Sequence, residues 1–183
     1  NSGMSISVIK DNKKGSTYIN KTDKKSIDNA IKKVMELCKA SQPDKAYDIA
    51  SMQAKQSFSK GNKSPDLDIM YESLKEFVDY VNKTYPQVQL EQAIMDFTYS
   101  ESLFQNTNGV NFNVNEGMYG FSPMFLSKEG KQTSSFNGTG FSSTIINKPL
   151  YKYGSINTLL RQSVEQLNTQ NINKKFIGKV VVT

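Results

Sequence analysis

Histidine is absent from the 183-residue sequence, and cysteine occurs once, at Cys38. Without histidine the chain has no imidazole base for a Ser-His triad and no ligand for a His-bearing zinc site. A single cysteine excludes an internal disulfide and a four-cysteine metal site, and it suits a reducing compartment. The residue types most often used for catalysis are missing, so the sequence indicates no reaction of its own.

Long apolar runs are also missing. No stretch is long enough to span a bilayer, and the start, NSGMSISVIKDNKKGS, lacks the basic-then-apolar order of a signal peptide. We therefore expect no membrane association and a cytoplasmic location. The chain starts without an initiator methionine and stops inside the apolar stretch 179–182. We interpret it as a segment of a longer protein.

The net charge of +6 is concentrated in the first third of the chain. Residues 1–64 hold 13 lysines against 6 acidic residues, whereas the remainder is close to neutral. These lysines are spaced as the wet face of a helix or the tip of a turn, with few aromatics between them and no arginine. The side chains that stack on bases or make bidentate phosphate contacts are scarce here, so the pattern favours a solvated face over a nucleic-acid interface.

Apolar periodicity predicts three helices. The first follows a cap at Thr22 or Asp23, and its apolar stripe includes Cys38 as a small buried side chain. The second ends near Pro86, and the third begins at Ser155. The side chains expected to face inward are Ile27, Ala30, Ile31, Val34, Leu37 and Cys38 in the first helix, Leu74, Phe77, Val78, Val81 and Tyr85 in the second, and Ile156, Leu159, Leu160, Val164 and Leu167 in the third.

Strand patterns lie between these helices. A short hairpin is predicted over 5–20, an irregular connection over 41–65, two long strands that meet at Asn108-Gly109, a third strand at 132–143 and a last one at 176–183. The predicted fold class is α+β, with an antiparallel sheet built as a long hairpin and meander and packed against about three α-helices. We expect residues 1–183 to form a single domain, with a division into 1–64 and 65–183 as the alternative.

The long hairpin carries two signals that agree. Asn-Gly favours a two-residue type I′ loop, which would pair Leu103 with Val114 and Tyr99 with Met118. In that register the odd-numbered apolar residues of the first strand and the even-numbered apolar residues of the second share one face. We therefore expect an apolar face packed against the helices and an amide-rich face open to a partner.

Two sets of polar side chains on this hairpin are candidate site residues. Glu101 and Glu116 would face each other and could share a proton or hold a cation, although two solvent-screened carboxylates are the simpler interpretation. Asparagine amides at the turn and on the face opposite the apolar line suit either an extended peptide backbone or a soluble outer surface. These asparagines are Asn106, Asn108, Asn111, Asn113 and Asn115. No residue is assigned a catalytic or metal-binding role.

Five motifs follow one another in an order that resembles the TldD/PmbA family, and most closely its PmbA/TldE branch. They are Lys13-Lys14-Gly15-Ser16 with Thr22-Asp23 before a helix, Ala-Ser-Gln-Pro-Asp at 40–44, Pro-Asp-Leu-Asp at 65–68, the ribbon 100–109 ending in Asn-Thr-Asn-Gly, and Gly-Lys-Val-Val-Val at 178–182. The motifs cover nearly the whole chain.

The resemblance implies a non-catalytic N-terminal portion of a PmbA/TldE-like subunit, within a zinc-dependent peptidase complex that acts on peptides or unfolded proteins. The partners implied are a TldD-like subunit or a second copy of the chain, and an extended peptide substrate. Zinc is expected only in the C-terminal half of a TldD-like partner, where the family keeps a His-Glu helix, and no cofactor is expected in this segment. The family label, modulator of DNA gyrase, leaves a protein-binding or nucleic-acid-binding module as the alternative.

Overall fold

A computed structural model of the chain describes residues 2–169, 175 and 177–179, and it has the predicted α+β class. The helices are α1 (Lys24–Ala40), α2 (Leu67–Thr84) and α3 (Ile156–Glu165), and the strands are β1 (Met4–Lys10), β2 (Lys13–Ile19), β3 (Gln56–Lys60), β4 (Val88–Gln105), β5 (Asn111–Glu129), β6 (Gln132–Thr133), β7 (Asn137–Gly138) and β8 (Phe141–Ser143). A short 3-10 helix, Leu150–Lys152, precedes α3. The chain divides into two compact units, the first containing 1–56 with 103–113 and the second containing 57–102 with 114–183.

The first unit is built on the β1–β2 hairpin and α1. Asp11 and Asn12 form the two-residue turn of the hairpin, both with φ near +56° (55° and 57°), which is the type I′ geometry. The strands pair in register from Met4 opposite Ile19 to Lys10 opposite Lys13. The predicted first hairpin is therefore confirmed, with its turn confined to two residues.

Helix α1 begins where the sequence predicts. The Asp23 side chain accepts hydrogen bonds from the Ser26 backbone N–H (3.0 Å) and the Ser26 hydroxyl (2.7 Å), which caps the helix N-terminus. At the other end, the Lys13 ammonium donates to the Lys39 carbonyl over 3.0 Å. The Cys38 thiol donates to the Lys13 carbonyl and is buried, as the sequence predicts.

Close backbone packing joins α1 to β2. A Cβ added at Gly15 would lie 2.4 Å from the Val34 carbonyl oxygen and 2.5 Å from the Cys38 nitrogen. The strand can approach the helix this closely only because Gly15 has no side chain. The buried stripe of α1 consists of Ala30, Val34 and Cys38 at four-residue spacing.

The second unit contains a six-stranded sheet in which β5 is the central strand. Strand β4 pairs with one edge of β5, while β3 and the short strands β6, β7 and β8 pair with the other. The predicted meander is thus present, and its third strand is divided into three pieces near Gly138 and Gly140. Strand β3 was not predicted, because Phe58 is the only apolar residue in its sequence QSFSK.

The core of the second unit brings α2, β5 and α3 together. Its fully buried side chains include Phe77 and Val81 from α2, Phe125 from β5, and Ile156 and Leu160 from α3. Phe77 and Phe121 pack edge to face with ring centroids 4.9 Å apart. This aromatic contact fixes α2 against the sheet.

Three residues predicted to face inward from the helices are exposed, and so is Leu103, which was predicted on the apolar face of the long hairpin and is 60% exposed. Ile31 and Leu37 of α1 are 45% and 42% exposed, because the narrow β1–β2 hairpin covers only the stripe centred on Val34. Val78 of α2 is 36% exposed, because Phe77 and Val81 define the buried side of that helix. The predicted last strand, 176–183, lies for the most part outside the described residues.

Candidate functional site

The long hairpin of β4 and β5 carries every candidate site residue, so its register decides their positions. Phe97 lies beside Tyr119 with ring centroids 4.9 Å apart, and a Cβ on Gly120 would lie 2.7 Å from an Asp96 carboxylate oxygen. At the tip, the Asn106 N–H donates to the Val110 carbonyl over 3.2 Å. These contacts agree on one register, which differs by one residue from the predicted pairing of Leu103 with Val114 and Tyr99 with Met118.

Because of this shift, the side chains of β5 lie on the opposite face of the sheet from the one predicted. The odd-numbered residues of β4 from Ala93 to Tyr99 are half-buried as predicted, but the buried residues of β5 are also odd-numbered, from Gly117 to Ser127. The predicted even-numbered line of β5 is therefore wrong. A slip of one residue moves every side chain of a strand to the other face.

The turn itself explains the shift. The predicted two-residue type I′ loop is replaced by a three-residue loop, in which the Gly109 N–H donates to the Asn106 carbonyl and Gly109 has φ +93°. The Asn106 side-chain oxygen accepts the N–H groups of Asn108 and Val110, each at 3.0 Å. These two bonds stabilise a loop that needs a positive φ only at its glycine.

The amides of Asn106 and Asn108 bind a peptide backbone, and this backbone belongs to the same chain. Asn106 Nδ2 donates to the Ala50 carbonyl at 2.8 Å. Asn108 Nδ2 donates to the carbonyls of Ile49 and Ala50 at 3.1 and 3.2 Å. All of these groups lie in the first unit, and each bond ends on a main-chain oxygen.

The other three asparagines continue the odd-numbered line of β5. Asn111 and Asn115 are half-buried and Asn113 is exposed. Because they share parity with the buried residues from Gly117 onward, they do not lie on the face opposite the apolar line, and that part of the prediction is wrong.

The two candidate carboxylates do not face each other. In the observed register Glu101 is opposite Asn115 and Glu116 is opposite Ser100, so the two glutamates point to opposite faces. Glu101 is exposed and accepts a hydrogen bond from the Tyr99 hydroxyl at 3.2 Å. Partial burial, and then the Glu101 charge, raises the pKa of Tyr99. The paired-carboxylate site predicted from the type I′ register is not formed.

Strand β4 presents a long open edge. It is 18 residues long, and within the described residues β5 is its only strand partner. Since the Asn106 N–H points to β5, alternation turns the N–H groups of odd-numbered residues such as Tyr99 and Glu101 outward. Strand edges in proteins are commonly protected by proline or lysine, and β4 contains neither.

A buried cluster of serine hydroxyls was not anticipated from the sequence. Ser127 Oγ lies 2.8 Å from Ser163 Oγ, and Ser134 Oγ lies 3.1 Å from it. The Asn137 amide also donates to Ser163 Oγ, at 3.2 Å. Every partner is neutral, so no group here can act as a general base, and the cluster links α3 to the end of β5. Serine is common in this chain, and nothing in its spacing marks these three.

The lysines of α1 have the solvated positions that their spacing predicts. Lys24, Lys25, Lys32 and Lys33 are all exposed. In the part of the chain that the structure describes, no three His, Cys, Asp or Glu side chains are grouped closely enough to hold a metal ion. No helix among the described residues has the length and apolar character needed to cross a membrane.

Comparisons with known proteins agree with the resemblance seen in the motifs. Residues 1–38, which contain β1, β2 and most of α1, match the family model described as PmbA/TldA metallopeptidase domain 1. The crystal structure of TldE from Thermococcus kodakarensis is similar, with a TM-score of 0.58 and 14% sequence identity. The match covers 88% of this chain and 36% of that chain. No curated protein matches the sequence.

The chain therefore spans about a third of the length of the TldE chain that it matches. At this level of identity the structural likeness shows a shared fold. Residues 1–38 thus match a PmbA/TldA family domain, and the chain as a whole shares its fold with part of TldE.

Proposed function

We propose that this chain is a non-catalytic part of a PmbA/TldE-like subunit that holds extended peptides within a zinc-dependent peptidase complex. The observation that carries the proposal is the open edge of β4. An exposed strand edge can bind an extended peptide by adding it as a further strand, through main-chain hydrogen bonds. Such binding is tolerant of sequence, which suits substrates that are peptides or unfolded proteins.

The residue types of the chain support a role in binding. Histidine is absent and the one cysteine is buried against β2, so the hydrolytic groups of the complex would come from elsewhere in it. In this proposal the zinc belongs to the C-terminal half of a TldD-like partner. We expect the chain alone to hydrolyse no peptide, with or without added zinc.

Backbone hydrogen exchange tests strand addition at β4. A ten-residue peptide of alanine, glutamine and threonine, added in excess to the full chain, should slow exchange at the outward N–H groups of Tyr99 and Glu101. Glu101→Pro removes one of these donors from an edge position, where proline leaves the β4–β5 ladder intact. Glu101→Pro should abolish the peptide's effect on hydrogen exchange along β4, whereas Glu101→Ala, which keeps the N–H, should retain that effect.

Unchanged exchange along β4 at saturating peptide, or equal protection in both variants, would contradict the proposal. The rival function, nucleic-acid binding through the lysines of α1, predicts a different result. A labelled DNA duplex would then bind with an affinity that falls steeply with salt, and Lys32→Gln with Lys33→Gln would weaken it.

A further inference from the structure

The tip of the β4–β5 hairpin holds a piece of the same chain that has no regular secondary structure. Residues 47–55 have no helix or strand, and residues 50–55 are all exposed. We call this stretch the strap. Its Ile49 and Ala50 carbonyls accept the three hydrogen bonds from Asn106 and Asn108.

The orientation of the Asn106 amide is fixed by the turn. Its Oδ1 accepts two backbone N–H groups, so its Nδ2 must face outward, toward the strap. Asn108, the second residue of the loop, places its own Nδ2 between two consecutive carbonyls. The two side chains therefore present amide donors at the spacing of adjacent peptide carbonyls.

The hydrogen bonds of this contact do not depend on the identity of the bound residues, whereas the half-buried Ile49 side chain adds packing that does. The hydrogen bonds end on main-chain oxygens, and Ala50 contributes only a methyl group. The Met52 side chain, which passes within 3.3 Å of a Cβ position at Gly109, is itself 76% exposed. Any peptide segment that turns two neighbouring carbonyls to the same side offers the same acceptors.

We propose that Asn106 and Asn108 form a binding site for two neighbouring carbonyls of a polypeptide without secondary structure, and that the strap occupies this site until a substrate displaces it. The inference rests on the proposed function and adds a second, separate point of attachment for the peptide. It also gives the site a resident competitor, so the apparent affinity equals the intrinsic affinity multiplied by the fraction of time that the strap is detached.

The two sites differ in the atoms that they require. Strand addition at β4 uses both N–H and C=O groups of the peptide, whereas the asparagine site uses only C=O groups. A ten-residue peptide N-methylated at every residue has no N–H donor for strand addition but keeps its carbonyls. A fluorescein-labelled peptide of this kind reports the asparagine site without interference from β4.

Fluorescence anisotropy with this N-methylated peptide and the full chain tests the site. Asn108→Asp keeps the shape but removes the donors. Made in the Ile49→Gly chain, in which the loosened strap competes less, it should weaken binding about fivefold or more, the equivalent of one hydrogen bond. Asn113→Asp makes the same charge change at an exposed position of the same hairpin and should leave binding unchanged. Ile49→Gly loosens the strap and should strengthen binding.

Limited trypsin digestion measures how often the strap is detached from the hairpin tip. Cleavage after Lys55 should be faster in Asn108→Asp than in Asn113→Asp, and faster in the wild-type chain when the N-methylated peptide is present. Equal binding by Asn108→Asp and Asn113→Asp when both are made in the Ile49→Gly chain, or a weaker affinity in Ile49→Gly alone, would overturn the inference. Neither result bears on exchange at β4, so the proposed function is tested independently.

Discussion

Phe97 on β4 and Tyr119 on β5 lie side by side, with ring centroids 4.9 Å apart and planes inclined by 59°. This pair belongs to the observed register and could not form in the predicted one. Phe97→Ala should lower the free energy of unfolding by about 2 kcal/mol, from lost burial and the lost aromatic contact. Urea denaturation measures this change in the free energy of unfolding. Phe104→Ala, at a position 60% exposed, should change stability by less than about 0.5 kcal/mol.

The hydroxyl of Tyr119 serves a second purpose. It accepts the backbone N–H of Asp66, the residue that caps α2, at 2.9 Å. Tyr119→Phe keeps the ring but leaves this N–H without its acceptor, so we expect a loss of about 1 kcal/mol in urea unfolding. Tyr71→Phe, on a side of α2 where the ring is 65% exposed, is the matched control. A loss of equal size in both variants would contradict the assignment.

Gly15 is the point of closest approach between β2 and α1. Gly15→Ala would push a methyl group against the helix backbone, and we expect a cost of about 2 kcal/mol or more by thermal or urea unfolding. Gly138→Ala provides the control, because the nearest atom to its added Cβ lies at 3.6 Å. Unfolding of the two alanine variants at the same urea concentration would contradict the close packing of β2 against α1.

Removing a single oxygen atom from the serine cluster should lower the free energy of unfolding. Ser163→Ala removes one oxygen from a fully buried position and leaves the Asn137 amide and the Ser127 hydroxyl without a shared partner. The expected loss is about 1 to 3 kcal/mol. Gln162→Ala, one residue earlier on an exposed position of α3, should be nearly neutral. Urea denaturation of both variants measures the difference. Equal stability of the two variants would show that the hydrogen bonds of Ser163 do not stabilise the fold.

Acid should weaken α1 through its cap. Hydrogen bonds from the Ser26 hydroxyl and then its N–H hold the pKa of Asp23 below its ordinary 3.8. Because the folded pKa is the lower one, this contribution to stability is complete above the ordinary value and is lost as the pH falls through the folded pKa. Unfolding curves between about pH 6 and about pH 2 should show a steeper loss for the wild type than for Asp23→Asn. Parallel curves would show that the cap does not titrate.

The helices and the fold class could be predicted because each depends on local periodicity. Asp23, the stripe of Ala30, Val34 and Cys38, and Pro86 all act within a few residues of their neighbours. The hairpin register could not be predicted in the same way. It depends on the Asn106 side chain, whose two hydrogen bonds favour a three-residue loop over the type I′ turn that Asn-Gly usually forms. The type I′ turn occurs instead at Asp11-Asn12.

The chemistry of the candidate site residues could be stated from the sequence, but their placement could not. The capacity of asparagine amides to bind a peptide backbone is chemical and could be stated from the sequence. The identity of that backbone could not, because Asn108 and Ile49 are far apart in sequence and the strap has no periodic pattern. The predicted pairing of Glu101 with Glu116 depended entirely on the type I′ register, and it does not occur in the observed register.

The first unit is discontinuous, since residues 103–113 complete what residues 1–56 begin. On the ribosome, β1, β2 and α1 emerge and can pair at once, yet the hairpin tip that receives the strap is made roughly fifty residues later. For several seconds of synthesis the strap is thus a nascent segment with its acceptors unclaimed. The order of translation leaves this stretch accessible to chaperones and proteases before any substrate can compete for its place.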